Sequence, residues 1–220
     1  MTDILGYGGK TVVVTGAASG MGAAAARLLV DLGAEVYALD VREVSAPVRQ
    51  FIKTDLKERD SIDSAVKMIP SQIYSLFNCA GVPSPPFSVP DTILINFVGH
   101  RHLTEALLPR LTHGGAVAFV SSTAGMGWKG NLEKVNTFIS TRGFDEARAW
   151  LEGVPKIDDG YSFSKQCITA YTKTKAGELA KRNLRINCIS PAPTETAFMK
   201  NLQEHIGEEI VKLFFAPCGR

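Results

Sequence analysis

A tyrosine and a lysine, Tyr161 and Lys165, stand four residues apart in a stretch of the chain whose pattern predicts a long helix. Residues at this spacing share one face of a helix, so the phenol and the ammonium would lie side by side. A neighbouring ammonium favours the phenolate, and we expect it to lower the pKa of the tyrosine from about 10 toward neutral pH. The pair could then act as a general acid and base. Because the same spacing also occurs by chance on solvated helices, the rest of the chain must show whether a site surrounds it.

A glycine-rich turn near the N-terminus is typical of a phosphate-binding site. The β-branched run Thr11–Thr15 predicts a buried strand, the turn extends from Gly16 to Gly22, and residues 23–32 predict an alanine-rich helix. Strand, glycine turn and helix together present free backbone N–H groups and the positive end of a helix dipole to a phosphate. Glycine also lets the backbone approach a pyrophosphate closely. This unit predicts a bound dinucleotide.

The acid that follows the second predicted strand indicates which dinucleotide is bound. Residues 35–39 predict that strand, and Asp40 comes directly after it, 18 residues beyond Gly22. A carboxylate at this place can bind the ribose hydroxyls of an adenosine and repels a 2′-phosphate, which favours NAD. Arg42 leaves NADP open, since an arginine can accommodate that phosphate.

Strands alternate with helices along the chain, which predicts an α/β fold of the Rossmann type. We expect a doubly wound parallel sheet in one domain, residues 1–220, with ligands bound at the carboxyl ends of the strands. Four further strands are predicted over 51–52, 73–77, 116–120 and 184–189, and further helices over 62–68, 91–111 and 158–181. Small or polar residues follow several of these strands, which leaves room for a ligand at that edge.

A segment of 38 residues separates Ser122 from Tyr161. Apolar residues recur at helical spacing over 131–139 and 142–151, so we expect a helical insertion covering about 126–157. Three roles stay open for its aromatic and leucine side chains, Phe138, Phe144, Trp150 and Leu151. They could wall a substrate cleft, replace a contact between subunits, or only pack against the core.

Composition argues against several classes of function. The formal charge is +2, with basic residues scattered along the chain, so we expect no nucleic-acid partner and no membrane partner. We expect a cytoplasmic protein whose four cysteines are reduced. We also expect no metal site, because His100 and His102 lie on different faces of a helix and no H-E-x-x-H motif occurs.

Seven motifs occur in the order in which they are found in one family. They are Thr15-Gly16-x-x-x-Gly20-x-Gly22, Asp55-Leu56, Asn78-x-Ala80-Gly81, Asn96, Ser121-Ser122, Tyr161-x-x-x-Lys165 and the segment that begins at Pro191. With these motifs the sequence, from about Lys10 to Thr196, resembles the short-chain dehydrogenase/reductase family. The long insertion and the sequence of residues 191–196 look most like the bacterial 3α-hydroxysteroid dehydrogenase/carbonyl reductase subgroup.

The resemblance implies an NAD-dependent interconversion of a secondary alcohol and a ketone, with a steroid or another apolar small molecule as substrate. It implies that Tyr161 is the general acid/base, that Lys165 lowers the pKa of Tyr161 and binds the nicotinamide ribose, that Ser122 binds the substrate oxygen, and that Asn96 holds a water linking Lys165 to solvent. The cofactor-binding residues that it implies are Gly16, Ser19, Gly20, Met21, Gly22, Asp40, Asp55, Leu56, Asn78, Ala80, Gly81, Tyr161, Lys165, Pro191 and Thr194.

Several alternatives stay open. Ser122 could be a helix or turn cap, Ser121 could be the working hydroxyl, Asn96 could bridge backbone groups, and Asp55 could be a turn residue. A nucleotide-sugar epimerase or lyase has the same fold, although its glycine turn is usually spaced T-G-x-x-G-x-x-G. A dinucleotide-sensing binding protein could also use this fold.

The sequence departs from the family pattern near its C-terminus. Ala192-Pro193 replaces the glycine that usually follows Pro191, and the chain ends at Arg220, where family members usually continue through another helix and strand. We therefore expect the sixth strand to lie at an exposed edge of the sheet. We also expect that a further C-terminal part belongs to the protein and contributes to a homodimer or homotetramer.

Overall fold

Six parallel strands form one sheet in the computed structural model, which describes residues 2–153, 157–209 and 212. The order across the sheet is β3-β2-β1-β4-β5-β6. The strands are β1 (Thr11–Thr15), β2 (Glu35–Asp40), β3 (Gln50–Lys53), β4 (Ile73–Asn78), β5 (Leu111–Val120) and β6 (Arg185–Ile189). This order confirms the predicted doubly wound Rossmann-type sheet. As expected, β6 lies at an edge, where Ile189 is 59% exposed.

Helices cover both faces of the sheet. They are α1 (Gly20–Asp31), α2 (Arg59–Met68), α3 (Val89–Ile93), α4 (His100–Leu107), α5 (Leu132–Ile139), α6 (Gly143–Gly153), α7 (Gly160–Ala180) and α8 (Ala197–Ile206). Alternate residues of β1 show the two-sided burial: Val12 and Val14 pack in one core cluster, and Val13 packs in the other. Side chains of a strand point alternately to the two faces, so an unbroken apolar run is what a doubly covered strand requires. Within the described ranges, no helix is long and apolar enough to span a membrane.

The long helix predicted over 91–111 is wrong in its detail. Instead, α3 passes into a π-helical turn, Leu94–Gly99, which is followed by α4 and a short 3-10 turn, Leu108–Arg110. The proline in that last turn cannot continue a helix, so the chain enters β5 at Leu111 rather than at the predicted residue 116. The spacing of apolar residues does not reveal the π-helical turn. Its residues are mostly apolar, so the extra residue per turn does not interrupt the apolar pattern.

Gly99 shows why this part of the helix comes so close to the turn between β3 and α2. A Cβ atom at Gly99 would collide with the carbonyl oxygen of Leu56. We predict that Gly99→Ala lowers the free energy of unfolding by about 1–3 kcal/mol, because the backbone would have to move to relieve the overlap. Gly177→Ala is the matched control, since Gly177 lies in α7 with nothing within 4 Å of its Cβ position.

In the control, alanine should stabilise the helix by about 0.5–1 kcal/mol. Urea unfolding of both variants measures the two effects. Equal shifts in both variants would contradict the claim that Gly99 is required by a close backbone approach.

The predicted insertion contains two helices, α5 and α6, after a 3-10 segment, Thr123–Asn131. Phe138 of α5 is fully buried, and its ring lies 4.7 Å from that of Trp150 and 5.5 Å from that of Phe163 on α7. Phe144 is also buried, and Leu151 packs against the same core. Of the three roles left open, packing is the one that these contacts support. Residues 154–156 of the predicted insertion lie outside the described residues.

Arg101 ties the insertion to α4. This guanidinium is 1% exposed and donates hydrogen bonds to the Gly143 carbonyl at 2.6 Å and to the Thr141 hydroxyl at 3.1 Å. Burial lowers the pKa of Arg101. The insertion is thus fixed to the core by a buried polar contact as well as by aromatic packing. The helical segment predicted from residue 197 corresponds to α8, and its expected continuation over 210, 211 and 213–215 lies outside the described residues.

Candidate active site

The glycine turn lies where β1 meets α1, at the carboxyl edge of the sheet. Gly16 has φ +69°, and a Cβ atom there would lie 2.6 Å from the Cα atom of Ala80. A Cβ atom at Gly22 would collide with the Gly16 carbonyl, which allows α1 to pack tightly against the turn. No acidic residue occupies the first turn of α1, which leaves this positive helix end favourable for an anion. The turn therefore fits the pyrophosphate of a dinucleotide.

The remaining predicted residues of this turn lie at the start of α1. Gly20 has φ +55° and Met21 is an exposed side chain at the second position of the helix. Ser19 occupies the N-cap position but makes no capping bond with its side chain. Its hydroxyl instead accepts a hydrogen bond from Arg42 Nη2 at 2.8 Å.

Asp40 lies at the end of β2, beside the turn, as predicted. Its Oδ2 accepts a hydrogen bond from the backbone N–H of Ala18 at 2.9 Å, and its Oδ1 accepts one from the N–H of Arg42 at 3.0 Å. These two hydrogen bonds fix the orientation of the Asp40 side chain beside the turn. The carboxylate of Asp40 and the guanidinium of Arg42 thus both contact the glycine turn, Asp40 at Ala18 and Arg42 at Ser19.

A side-chain network holds the end of β4 against the end of β1. The Thr15 hydroxyl accepts hydrogen bonds from the N–H groups of Cys79 at 3.0 Å and Ala80 at 3.2 Å. Asn78 donates from Nδ2 to the Thr104 hydroxyl, and its Oδ1 is buried without a partner in the described part of the chain. A buried oxygen without a partner at this edge of the sheet is consistent with a bound ligand that donates a hydrogen bond to it.

Tyr161 and Ser122 meet at the end of β5. The Ser122 hydroxyl lies close enough to the phenol to act against the rise in the pKa of Tyr161. Ser122 also caps the 3-10 segment by accepting a hydrogen bond from the N–H of Ala124 at 3.2 Å, so the capping interpretation is correct and does not exclude the contact with the phenol. Ser121 is 2% exposed and donates to the Lys165 carbonyl at 3.0 Å. Its hydroxyl is engaged by the backbone of α7, which disfavours Ser121 as the working hydroxyl.

The electrostatics of the tyrosine–lysine pair differ from the sequence-based expectation. Lys165 Nζ lies 5.5 Å from the centroid of the Tyr161 ring but donates its hydrogen bond to the Val120 carbonyl at 2.8 Å. Burial raises the pKa of Tyr161, with the hydrogen bond from Ser122 acting in the opposite direction. Burial also lowers the pKa of Lys165 to about 8. The expected lowering of the tyrosine pKa is therefore wrong, because desolvation by burial, with the charge of Asp159 adding to it, outweighs the effect of Ser122.

Asn96 lies in the π-helical turn and is fully buried. Its Oδ1 accepts from the N–H of Val82 at 2.8 Å, and its Nδ2 donates to the Val82 carbonyl at 3.0 Å and to the Ser164 hydroxyl at 3.2 Å. The bridging interpretation of this side chain is thus correct. A Cβ atom at Gly81 would lie 3.6 Å from both Asn96 Oδ1 and Lys165 Nζ, so the bridge stands beside the lysine.

Other predicted residues are engaged in local structure. Asp55 Oδ1 accepts from the N–H of Lys57 at 2.9 Å, which is the turn role left open for it, and Leu56 is buried in the core. The Pro191 carbonyl accepts from the N–H of Thr123, and the exposed Thr194 donates from its hydroxyl to the Ala192 carbonyl. The segment around Thr194 reaches the glycine turn through Thr196, whose Cγ2 lies 3.7 Å from the Cβ position of Gly20.

Two side chains at the site were not predicted. The ring of Phe198 on α8 lies 5.4 Å from that of Tyr161, and His100 binds Thr15 and Asn96. From its sequence position His100 was considered only as a metal ligand, and no motif near Phe198 indicates a role at the site. Among the described residues, no group of three or more His, Cys, Asp or Glu side chains could hold a metal ion.

Comparison with known proteins agrees with this geometry. The family described as short chain dehydrogenase matches residues 10–132, more than half of the chain, and the one described as Enoyl-(Acyl carrier protein) reductase matches residues 149–214. The coniferyl-alcohol dehydrogenase of Pseudomonas sp. (strain HR199 / DSM 7063) is 34% identical over 203 residues, which cover 91% of this chain and 79% of the relative. The 3-alpha-hydroxysteroid dehydrogenase/carbonyl reductase of Comamonas testosteroni is 27% identical over 215 residues, covering 95% and 82%.

A solved structure has the same fold along nearly the whole chain. The crystal structure of the 3-alpha-hydroxysteroid dehydrogenase from Pseudomonas sp. B-0831 complexed with NADH superposes with a TM-score of 0.79 at 24% identity, covering 96% of this chain and 83% of that one. Sequence motifs, sheet order and family match therefore agree. The chain belongs to the short-chain dehydrogenase/reductase family of oxidoreductases.

Proposed function

We propose that the protein is an NAD-dependent oxidoreductase that interconverts an apolar secondary alcohol and the corresponding ketone. The observation that carries the proposal is the placement of Ser122 beside the phenol of Tyr161, with Lys165 Nζ 5.5 Å from the centroid of the same ring. The glycine turn and Asp40 lie at the same edge of the sheet, where a dinucleotide fits. The names of the two relatives, an alcohol dehydrogenase and a hydroxysteroid dehydrogenase/carbonyl reductase, support this class of substrate.

The chain's own residues would handle the proton of the reaction. The nicotinamide, when bound, supplies the acceptor for the hydride that leaves the carbinol carbon. The hydroxyl proton of the alcohol passes to the oxygen of Tyr161, which must be a phenolate to receive it, as the carbon–oxygen double bond forms. Ser122 would donate a hydrogen bond to the substrate oxygen and stabilise the charge that develops there. In the reverse direction Tyr161 returns the proton to the oxygen of the ketone.

Lys165 would counteract the burial that raises the pKa of Tyr161. Its ammonium lies close to the phenol, and turning Nζ from the Val120 carbonyl toward the site would favour the phenolate and provide a donor for the nicotinamide ribose. Asn96 would keep Lys165 in place through its bonds to Val82 and Ser164. The sequence-based role of Asn96 as the holder of a water stays a prediction.

Absorbance of NADH measures the proposed activity directly. Steroid, aromatic and small aliphatic alcohols, with the matching ketones, form the test panel, and the contact of Phe198 with Tyr161 favours substrates with an apolar ring system. Turnover that increases from the aliphatic to the steroid or aromatic substrates supports the proposal. Tight NAD binding without turnover of any alcohol or ketone would favour a dinucleotide-sensing protein. An isomerised product with no net change in NADH would favour an epimerase.

The cofactor preference gives a prediction at Asp40. Asp40→Ala should lower the preference for NAD over NADP by about tenfold or more, since the variant loses the carboxylate that binds the ribose and repels a 2′-phosphate. Asp40→Asn is the matched control because its amide oxygen can still accept the hydrogen bond from Ala18. Values of kcat/KM for NAD and NADP check both variants.

The two variants separate charge from structure. If charge repulsion decides the preference, Asp40→Asn should accept NADP nearly as well as Asp40→Ala does. An unchanged ratio in both variants would show that another residue reads the ribose. The expected homodimer or homotetramer and the cytoplasmic location stay predictions.

A further inference from the structure

His100, at the start of α4, is a buried ring whose two nitrogens are both hydrogen bonded. It is 1% exposed, with Nδ1 3.0 Å from the Asn96 carbonyl and Nε2 2.9 Å from the Thr15 hydroxyl. The ring therefore connects the last residue of β1 with the π-helical turn. No step of the proposed reaction uses this residue.

The partners of His100 determine its tautomer from both sides. A carbonyl oxygen can only accept, so Nδ1 must carry the proton that is donated to Asn96. The Thr15 hydroxyl already accepts two N–H donors, from Cys79 and Ala80, so its own hydrogen is left for Nε2. Both ends of the ring thus require the neutral form with the proton on Nδ1.

The surroundings of the ring also disfavour a second proton. Burial is the main cause that lowers the pKa of His100, to about 4, and the positive charge of Lys165 adds to it. A proton on Nε2 would face a hydroxyl whose lone pairs are already engaged. The ring is therefore a neutral connector rather than a group that titrates near neutral pH.

The connection leads to the residues beside Lys165. His100 holds the backbone of Asn96, and the Asn96 side chain joins Val82 to Ser164, the residue before Lys165. On the other side, Thr15 holds the backbone that follows β4. Hydrogen bonds to the backbone and to the side chain of Asn96 thus link the end of β1 with helix α7.

We infer that His100, as the neutral tautomer with the proton on Nδ1, is a positioning residue that fixes the Asn96 carbonyl to the end of β1 and thereby keeps Lys165 aligned with Tyr161. The inference rests on the proposed function for its kinetic consequence. Its structural part, the tautomer and the support of the Asn96 bridge, stands independently of turnover.

The first measurement needs no variant. In protein labelled with ¹⁵N at histidine, a long-range ¹H–¹⁵N correlation spectrum at pH 6 to 8 should show His100 with a protonated Nδ1 and an unprotonated Nε2. The signal is assigned by its absence from His100→Asn. A proton on Nε2, or on both nitrogens, in the wild-type protein would overturn the inference.

A pair of variants tests the positioning role. In His100→Asn the side-chain amide replaces Nδ1 and can still donate to the Asn96 carbonyl four residues back, whereas His100→Phe keeps a ring of similar size with no donor. We expect kcat to fall by about tenfold or more in His100→Phe and to stay within about threefold of wild type in His100→Asn. Hydrogen exchange at the Val82 amide, which donates to Asn96 Oδ1, should accelerate only in His100→Phe.

The outcomes separate this inference from the proposed function. Equal kcat values and equal Val82 exchange in the two variants would refute the positioning role. If the wild-type protein turns over no alcohol or ketone, the proposed function fails, and the tautomer and Val82 exchange still decide the structural part. If His100→Phe does not fold, the wild-type spectrum and the Val82 exchange of His100→Asn, expected to match wild type, remain decisive in either direction.

Discussion

Tyr161→Phe is expected to lower kcat by about 10²–10⁴ while changing the affinity for NAD by less than about threefold. The substitution removes only the hydroxyl that would exchange a proton with the substrate oxygen. The ring, which lies 5.4 Å from that of Phe198, keeps its place in the site. Steady-state kinetics with the best substrate of the panel and titration of NAD binding measure the two quantities.

Tyr171→Phe is the matched control for this prediction. Tyr171 lies on the same helix, is buried, and donates from its hydroxyl to Glu105 Oε1 at 3.3 Å. Removing that hydroxyl should lower stability by about 0.5–1.5 kcal/mol and leave kcat unchanged. If Tyr161→Phe kept more than a tenth of the wild-type kcat, Tyr161 could not be the general acid/base. A similar loss in both variants would point to a general disturbance of α7.

The parts of the fold that follow from local sequence pattern were predictable. An unbroken run such as Val12–Val14 has to be covered on both faces, and the glycine turn between β1 and α1 has a steric cause that can be read from residue types. The acid that ends β2 and the serines that end β5 then fall at one edge, because parallel strands end together. In the structure, Asp40 accepts a hydrogen bond from Ala18 of the turn, and Ser122 lies at the end of β5 beside Tyr161.

What could not be predicted depends on contacts between distant segments. The π-helical turn is associated with the close approach of Gly99 to Leu56 and the bonds of Asn96 to Val82, none of which leaves a periodic signal. The direction of the Tyr161 pKa shift was wrong because spacing reports the distance to Lys165 but not the extent of burial. The role of His100 depends on Thr15, 85 residues away in sequence.

The position of Lys165 beside Tyr161 was predictable from the sequence, but the effect of burial on its pKa was not. It is 3% exposed, and burial lowers its pKa from the ordinary value of 10.5 to about 8. The charged form is therefore disfavoured in the folded protein relative to the unfolded chain. The resulting destabilisation is fully present below about pH 8 and is relieved as the pH rises from there toward 10.5.

We accordingly predict that Lys165→Met makes the protein more stable and less active. At pH 7 the free energy of unfolding should rise by about 1–2 kcal/mol, since removing the buried ammonium gains more than the lost hydrogen bond to Val120 contributed. The value of kcat/KM should fall by about 10² or more, because the phenolate of Tyr161 then has no ammonium beside it. Lys173→Met, on the exposed side of the same helix, should change neither quantity appreciably.

The pH dependence of the stability gain identifies its cause. Urea unfolding at pH 7, 8, 9 and 10 should show the difference between Lys165→Met and wild type shrinking above pH 8, as the wild-type lysine loses its proton in the folded state. A gain that is constant over this range would show that better packing by methionine, rather than removal of a buried charge, stabilises the variant. Unchanged activity would refute the role of Lys165 beside Tyr161. A stability gain joined to a loss of turnover would show that the charge is kept for catalysis at the expense of the fold.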